Sequence, residues 1–279
     1  MRMKSRIKEI IQAVALKRNK KDLVPVSQIV DNNSLLSNKI ALIIGGTGGI
    51  GSSIAKSFIN SGCKVILAGT NEEKLREVSK ALGQNNAKTL VLNLQDAGTF
   101  EDKIGCAAKL FGKIDILVNA AGVHSTNSDF WEMTENEYDR IMSINLRGLY
   151  FLNRAIAKYM IDQKIKGHIL NVASSVMHEP AWSPYRLSKL GIEGYTQGLA
   201  MILQPYGIVV NAIAPGIVAT KLIGYQAGKA VNTQDNMVGR YIMPDEIAEY
   251  AKLMVSDLGN MIIGDTLFIS GGRGTIDIR

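Results

Sequence analysis

Residues 39–58 read KIALIIGGTGGIGSSIAKSF. An aliphatic run is followed by five glycines in seven positions, then by small and apolar residues at helical spacing. Strand, tight turn and helix therefore succeed one another without a linker. Such a junction lets backbone approach a pyrophosphate while N–H groups and the helix dipole face its negative charge. The glycines satisfy three spacings at once: GxGxxG (Gly46, Gly48, Gly51), GxxGxxG (Gly45, Gly48, Gly51) and GxxxGxG (Gly45, Gly49, Gly51). The loop marks a dinucleotide site without choosing among nucleotide-binding families, the competing reading being a tight turn with no ligand.

Outward from this loop, short apolar runs alternate with longer amphipathic ones. The runs 40–44, 64–68, 89–92, 115–118, 168–173, 208–213 and 266–269 read as strands, and the intervals 50–61, 72–82, 98–111, 135–161, 184–204 and 245–256 as helices. Thr134 with Glu137 forms a capping box, and Pro184 and Pro244 stand at first helical positions. The pattern predicts an α/β, Rossmann-like, doubly wound fold: about seven parallel strands with helices on both faces. One domain over 38–279 follows an N-terminal extension, 1–37.

Hydrophobic residues make up 46% of the 279 positions and charged residues 20%, a globular balance. The only cysteines, Cys63 and Cys106, form neither a disulfide framework nor a zinc motif and read as small apolar fillers, as in a reducing cytoplasm. No apolar run reaches eighteen residues and no secretory leader is evident, so a soluble cytoplasmic protein is expected. The net charge of +7 is local: residues 1–22 hold eight basic residues against Glu9 and Asp22, leaving +1 for the other 257. Ile7, Ile10, Ile11 and Val14 in that segment have helical spacing, which suits a short docking helix for a partner or an anionic surface. No specific nucleic-acid partner is expected.

Where the second strand ends, Thr70 and Asn71 stand in the position that would select the adenosine ribose. Neither a carboxylate to repel a 2′-phosphate nor an arginine to bind one is there, and two hydrogen-bonding side chains favour NADP over NAD.

The chain resembles the short-chain dehydrogenase/reductases, in their single-domain branch. Six motifs carry the resemblance over about residues 38–272: Gly45-x-x-x-Gly49-Ile50-Gly51, NAAG at 119–122, Asn145, Ser174, Tyr185-x-x-x-Lys189, and PGIVAT at 215–220. It implies an oxidoreductase interconverting a carbonyl and a secondary alcohol. Tyr185 would be the general acid or base, Lys189 would lower its pKa and hold the nicotinamide ribose, Ser174 would bond the substrate oxygen, and Asn145 would bend its helix and hold a relay water. The resemblance also assigns cofactor contacts to Thr47, Gly48 and Ile50 in the glycine loop, to Asn93 and Leu94 beside the adenine, to Asn119 and Gly122, and to Pro215, Gly216 and Thr220. Homodimers or homotetramers, paired through the helices carrying Asn145 and Tyr185, are implied as well.

Two departures stand out. Ile44 occupies the place of a threonine that often precedes the first glycine, and only eleven residues separate Ser174 from Tyr185, somewhat short for the family. His124, Met177, His178, Trp182 and Tyr225, with Glu179, fall in segments expected to line a substrate pocket, and 221–240 is rich in lid-like Gly, Asn and Gln. His168, at a strand start, reads as structural, and no metal site is expected. The alternative function is a catalytically silent nucleotide sensor or scaffold, against which an intact Asn-Ser-Tyr-Lys set argues.

Overall fold

Each residue of β1 (Ile40–Ile44) is buried, as a central strand covered on both faces must be. The computed structural model describes residues 34–125 and 129–276. Its seven strands are β1, β2 (Lys64–Gly69), β3 (Ala87–Val91), β4 (Ile116–Asn119), β5 (His168–Val172), β6 (Val209–Pro215) and β7 (Thr266–Ile269). All pair in parallel in the order β3-β2-β1-β4-β5-β6-β7. The helices are α1 (Gly49–Asn60), α2 (Glu72–Leu82), α3 (Phe100–Phe111), α4 (Glu135–Met142), α5 (Leu149–Asp162), α6 (Pro184–Leu203) and α7 (Pro244–Val255).

Period-two alternation divides β1 between two cores. Ile40, Leu42 and Ile44 join Phe100, Ile104 and Ile156 on one face. Ala41 and Ile43 join Phe58, Ile54 and Ile247 on the other. The strand order reverses between β1 and β4, and at such a switch point the carboxyl ends of the two strands part to leave a crevice for a ligand. The glycine loop and the NAAG turn flank it.

The expected helix over 135–161 is interrupted. A π-helical turn, Ser143–Gly148, joins α4 to α5. At Gly148 a Cβ would lie 2.4 Å from the Leu94 carbonyl oxygen, so the widened turn lets the helix pass tightly over the β3 end. Leu36 is fully buried and its amide bonds Ser61 O, so the folded unit begins before residue 38. The basic segment and its candidate helix lie outside the described residues.

Cys63 is buried, which pushes its thiol up to about 12, whereas Cys106 is exposed on α3 and fills no core position. Among the described residues no helix is long and apolar enough to cross a membrane.

Beneath the crevice four buried side chains form one polar network. Asn119 Nδ2 donates to Asn153 Oδ1 (2.6 Å) and Asn171 Oδ1 (2.9 Å), Asn153 Nδ2 donates to Asn171 Oδ1 (3.1 Å), and Asn171 Nδ2 donates to Thr196 Oγ1 (3.1 Å). It ties β4 and β5 to α5 and α6. With partners supplied, burial of these amides is tolerated; losing one would strand the others.

Candidate active site

The structure chooses among the three glycine spacings. Gly45 has φ +76°, and a Cβ on it would meet Ala121 N at 2.7 Å. A Cβ on Gly51 would lie 2.2 Å from Gly45 O. At Gly49 the neighbour is the Thr220 methyl, 2.6 Å away, whereas Gly48 has room apart from Gly45 O at 3.3 Å. Gly46 is also close-packed, with Leu67 2.9 Å from a Cβ placed there, but of the three spacings only GxxxGxG, at 45, 49 and 51, has every glycine crowded. Gly48 is the N-cap of α1 and supplies no side-chain cap, which leaves the first-turn N–H groups to a ligand. The cradle fits a dinucleotide pyrophosphate.

Catalytic-type groups converge next to it. Ser183 caps α6 by accepting from Arg186 N (3.3 Å), and Pro184 opens the helix, fixing Tyr185 in its first turn. Lys189 lies one turn on, 4% exposed, with Nζ donating to Val172 O at 2.8 Å and standing 5.7 Å from the Tyr185 ring centroid. Gly122 lies against it: a Cβ there would sit 3.5 Å from that ammonium and 3.7 Å from Asn145 Oδ1. Ser174, just past β5, lines the same cleft as Tyr185 and acts on its phenol, favouring the ionised form. A 3₁₀ turn over Ser175–His178 takes up the short Ser174 to Tyr185 connection, so eleven residues suffice. Asn145 projects from the π turn, its Oδ1 accepting from Val123 N (2.9 Å) and its Nδ2 donating to Val123 O (3.0 Å) and Ser188 Oγ (3.2 Å).

Burial pushes the Tyr185 phenol up, against which the Ser174 side chain and the Arg273 guanidinium act. Burial lowers Lys189 itself to about 8. Near neutrality the pair is a protonated phenol beside an ammonium, the state required to give a proton to an oxygen.

The family model described as short chain dehydrogenase matches residues 39–229. The chain is a short-chain dehydrogenase/reductase. The 3-oxoacyl-[acyl-carrier-protein] reductase FabG of Rickettsia conorii is 34% identical over 242 residues, covering 85% of this chain and 97% of the relative. The 3-ketoacyl-(acyl-carrier-protein) reductase of Brucella melitensis, solved with NADH, is similar at TM-score 0.78 and 30% identity, with 86% of this chain and 99% of that one covered. An actinorhodin polyketide ketoreductase solved with NADPH has TM-score 0.77 at 26% identity, covering 85% and 97%. The dehydrogenase is an NAD(P)-dependent oxidoreductase that interconverts a carbonyl and a secondary alcohol.

In this dehydrogenase Ile50, Gly122, Pro215, Gly216 and Thr220 line one cleft with Ser174, Tyr185 and Lys189. Thr70 and Asn71 are exposed at the β2 end, where Asn71 Oδ1 is already engaged as the α2 cap, accepting from Lys74 N at 2.9 Å. Only its amide N–H groups remain for a phosphate. Leu94 is buried, so its backbone alone could face an adenine, and Asn93 Oδ1 accepts from Gln95 N. Asn119 belongs to the buried network rather than to the cleft surface. Thr47 lies half-buried in the glycine loop. Ile44, in place of threonine, is buried, and its carbonyl still accepts from Ala120 N at 3.0 Å.

Of the expected pocket residues, His124 lies flat on Tyr185, ring centroids 3.6 Å apart, and Arg140 Nη2 donates to its carbonyl at 2.8 Å. Trp182 lines the cleft, while His178, bonded to Glu193, lines a neighbouring cavity. Met177 is 2% exposed and packs with Leu149, Ile192 and Ala214 in a small core cluster, so it does not face a pocket. The Tyr225 hydroxyl donates to Lys229 O, and the tyrosine that lines the cleft besides Tyr185 is Tyr241. Segment 221–240 is pinned internally: Asn236 accepts from Gly239 N and donates to Arg240 O. His168, buried at the start of β5, has its pKa lowered to about 4 by burial. Among the described residues no group of three or more His, Cys, Asp or Glu side chains is placed to hold a metal.

Sequence reading missed Arg273, Arg186, Ser188 and the Asn153–Asn171–Thr196 network. A basic residue just after the Gly271-Gly272 pair was the available signal for Arg273.

Proposed function

We propose that Tyr185 is the proton donor in carbonyl reduction, with Ser174 bonding the same substrate oxygen and Lys189 placing cofactor and charge. The observation that carries this reading is the convergence of Ser174, Tyr185 and Lys189 on one cleft, with the Lys189 ammonium fixed on Val172 O. A nicotinamide cofactor bound in the cradle supplies the hydride. Tyr185 gives its proton to the oxygen as charge develops there, and Ser174 stabilises that charge with a preorganised donor. Lys189 uses one of its three N–H bonds on Val172, leaving two for ribose hydroxyls and for reprotonating the phenol. Asn145, by clamping both polar groups of Val123, holds the NAAG turn against the cofactor and stands beside the ammonium for a water-borne relay.

Lys189 sets the alkaline limit. Its ammonium is present below about 8 and is lost above it, whereas Tyr185 keeps its proton further up. With the cofactor as the varied substrate, kcat/KM reports the free enzyme and should fall with one-proton slope above about pH 8. A profile flat to about pH 10 would mean that burial does not lower the pKa of Lys189 or that its charge is not used in cofactor binding, and Lys189→Met separates the two.

NADP is favoured over NAD because Thr70 and the Asn71 amide are exposed at the β2 end, where no carboxylate opposes a 2′-phosphate. Fluorescence titration of the purified protein with NADPH and NADH should show tighter binding of NADPH; equal or reversed affinities would end that preference, and binding of neither would end the dinucleotide reading. Tyr150 on α5 and Leu187, Leu190 and Met201 on α6 expose apolar surface on the helices expected to pair two copies as a dimer or tetramer. The relatives are named as reductases, which supports a cytoplasmic enzyme and gives the silent sensor no support.

A further inference from the structure

Adjoining the catalytic cleft through Trp182 and Arg186, a second cavity of about 570 Å³ opens between Trp182, Gln234 and the segment after β7. Arg273 lines both this cavity and the catalytic cleft. Its guanidinium donates to Glu179 through Nε (2.6 Å) and Nη2 (3.3 Å), and Arg186 Nη1 reaches the same carboxylate at 2.9 Å. The three side chains are 21–22% exposed. Two guanidiniums thus share one carboxylate in a place where water screens poorly, which leaves a surplus positive charge.

Arg273 and Tyr185 line the same cleft, and the guanidinium favours the phenolate electrostatically. Among the described residues lining the catalytic cleft, Arg186, Lys189 and Arg273 are basic and none is acidic. Lys189 is committed to Val172 and the cofactor side. Arg273 uses two of its five N–H donors on Glu179, and the remaining three have no protein acceptor among the described residues. Asp235 borders the outer cavity, exposed, where solvent weakens its claim on the guanidinium. A wall built only to receive an aliphatic chain would not place a cation here.

We propose that Arg273, braced by Glu179, binds an acidic group carried by the substrate itself, a few bonds from the carbonyl that Tyr185 protonates. The substrate class is a small oxo acid, reduced to the hydroxy acid by one hydride from the cofactor and one proton from Tyr185. The inference rests on the reductase reading of this cleft. Arg273 acts here as a specificity residue, and the planar fork suits a carboxylate or phosphate in two-point contact.

The test is binding by calorimetry to protein saturated with the preferred oxidised cofactor, so that no turnover intervenes. Acetoacetate and ethyl acetoacetate present the same ketone with and without the charge. The wild type should bind the acid at least about tenfold more tightly than the ester. Arg273→Met should bind the two alike with ester affinity unchanged, and Arg273→Lys, which keeps the charge, should retain part of the preference. Equal binding by the wild type, or a preference surviving in Arg273→Met, overturns the proposal. So does a preference for acetoacetyl coenzyme A over acetoacetyl N-acetylcysteamine that vanishes in Arg273→Met, because the acidic group then belongs to a carrier. Failure of the cofactor to bind is seen first, in its own titration, and sinks the reductase reading together with this one.

Discussion

Replacing Tyr185 with phenylalanine should lower turnover by a factor of about 10²–10⁴, the usual contribution of a positioned proton donor. Cofactor affinity should stay at the wild-type value. The ring would keep its place, since it is fixed by α6 packing and by stacking with His124 at 3.6 Å, neither of which uses the hydroxyl. Lys189 would also stay, because its anchor is Val172 O on β5 and not the phenol. The comparison therefore isolates one O–H group. Single-turnover measurements with bound reduced cofactor decide the matter: a Tyr185→Phe enzyme of wild-type rate would transfer the proton role to another group and dismantle the assignment.

The second large effect is expected from Gly51→Ala. A methyl group there would come within 2.2 Å of Gly45 O and 2.9 Å of Gly45 C, both backbone atoms with no side-chain freedom to retreat. The loop must open, and opening it turns the first α1 N–H groups away from a bound pyrophosphate. Cofactor affinity should fall at least about 100-fold, or about 2.7 kcal/mol. Gly105→Ala in α3 is the control, since a Cβ there meets nothing within 4 Å and a helix-interior alanine is favoured by about 1 kcal/mol. Unchanged NADPH and NADH binding in Gly51→Ala would mean that the cofactor does not use this loop.

The strands were legible because each is a run of aliphatic residues bounded by polar ones. Even the displaced ends, such as β3 at Ala87–Val91 against an expected 89–92, moved by two residues or fewer. A bend at Asn145 was expected from the resemblance and falls in the π turn Ser143–Gly148, but its cause was not legible: Leu94, distant in sequence, presses against Gly148. Asn145, Ser174, Tyr185 and Lys189 were singled out through ordered motifs, and the structure brings the last three to one cleft with Asn145 buried behind it on Val123. Their electrostatics were not readable, because a four-residue spacing says nothing of burial or of Val172 O, and these set the Lys189 and Tyr185 pKa values. Met177 misled for a related reason. Its place in the chain suggested a pocket, but the 3₁₀ turn after Ser174 rotates it into the cluster of Leu149 and Ile192. Arg273 escaped notice because its partners, Glu179 and Arg186, lie some ninety residues earlier.

The network of Asn119, Asn153, Asn171 and Thr196 divides the molecule's labour. Thr196 stands about two turns from Lys189 on α6, so the strands that floor the crevice and the helix that bears the proton donor are riveted into a single body. Trp182, Arg273 and Tyr241, which face the incoming molecule, lie on connecting segments outside that body. Descendants of this chain can therefore exchange what they recognise, one loop residue at a time, while the hydride and proton geometry is inherited intact.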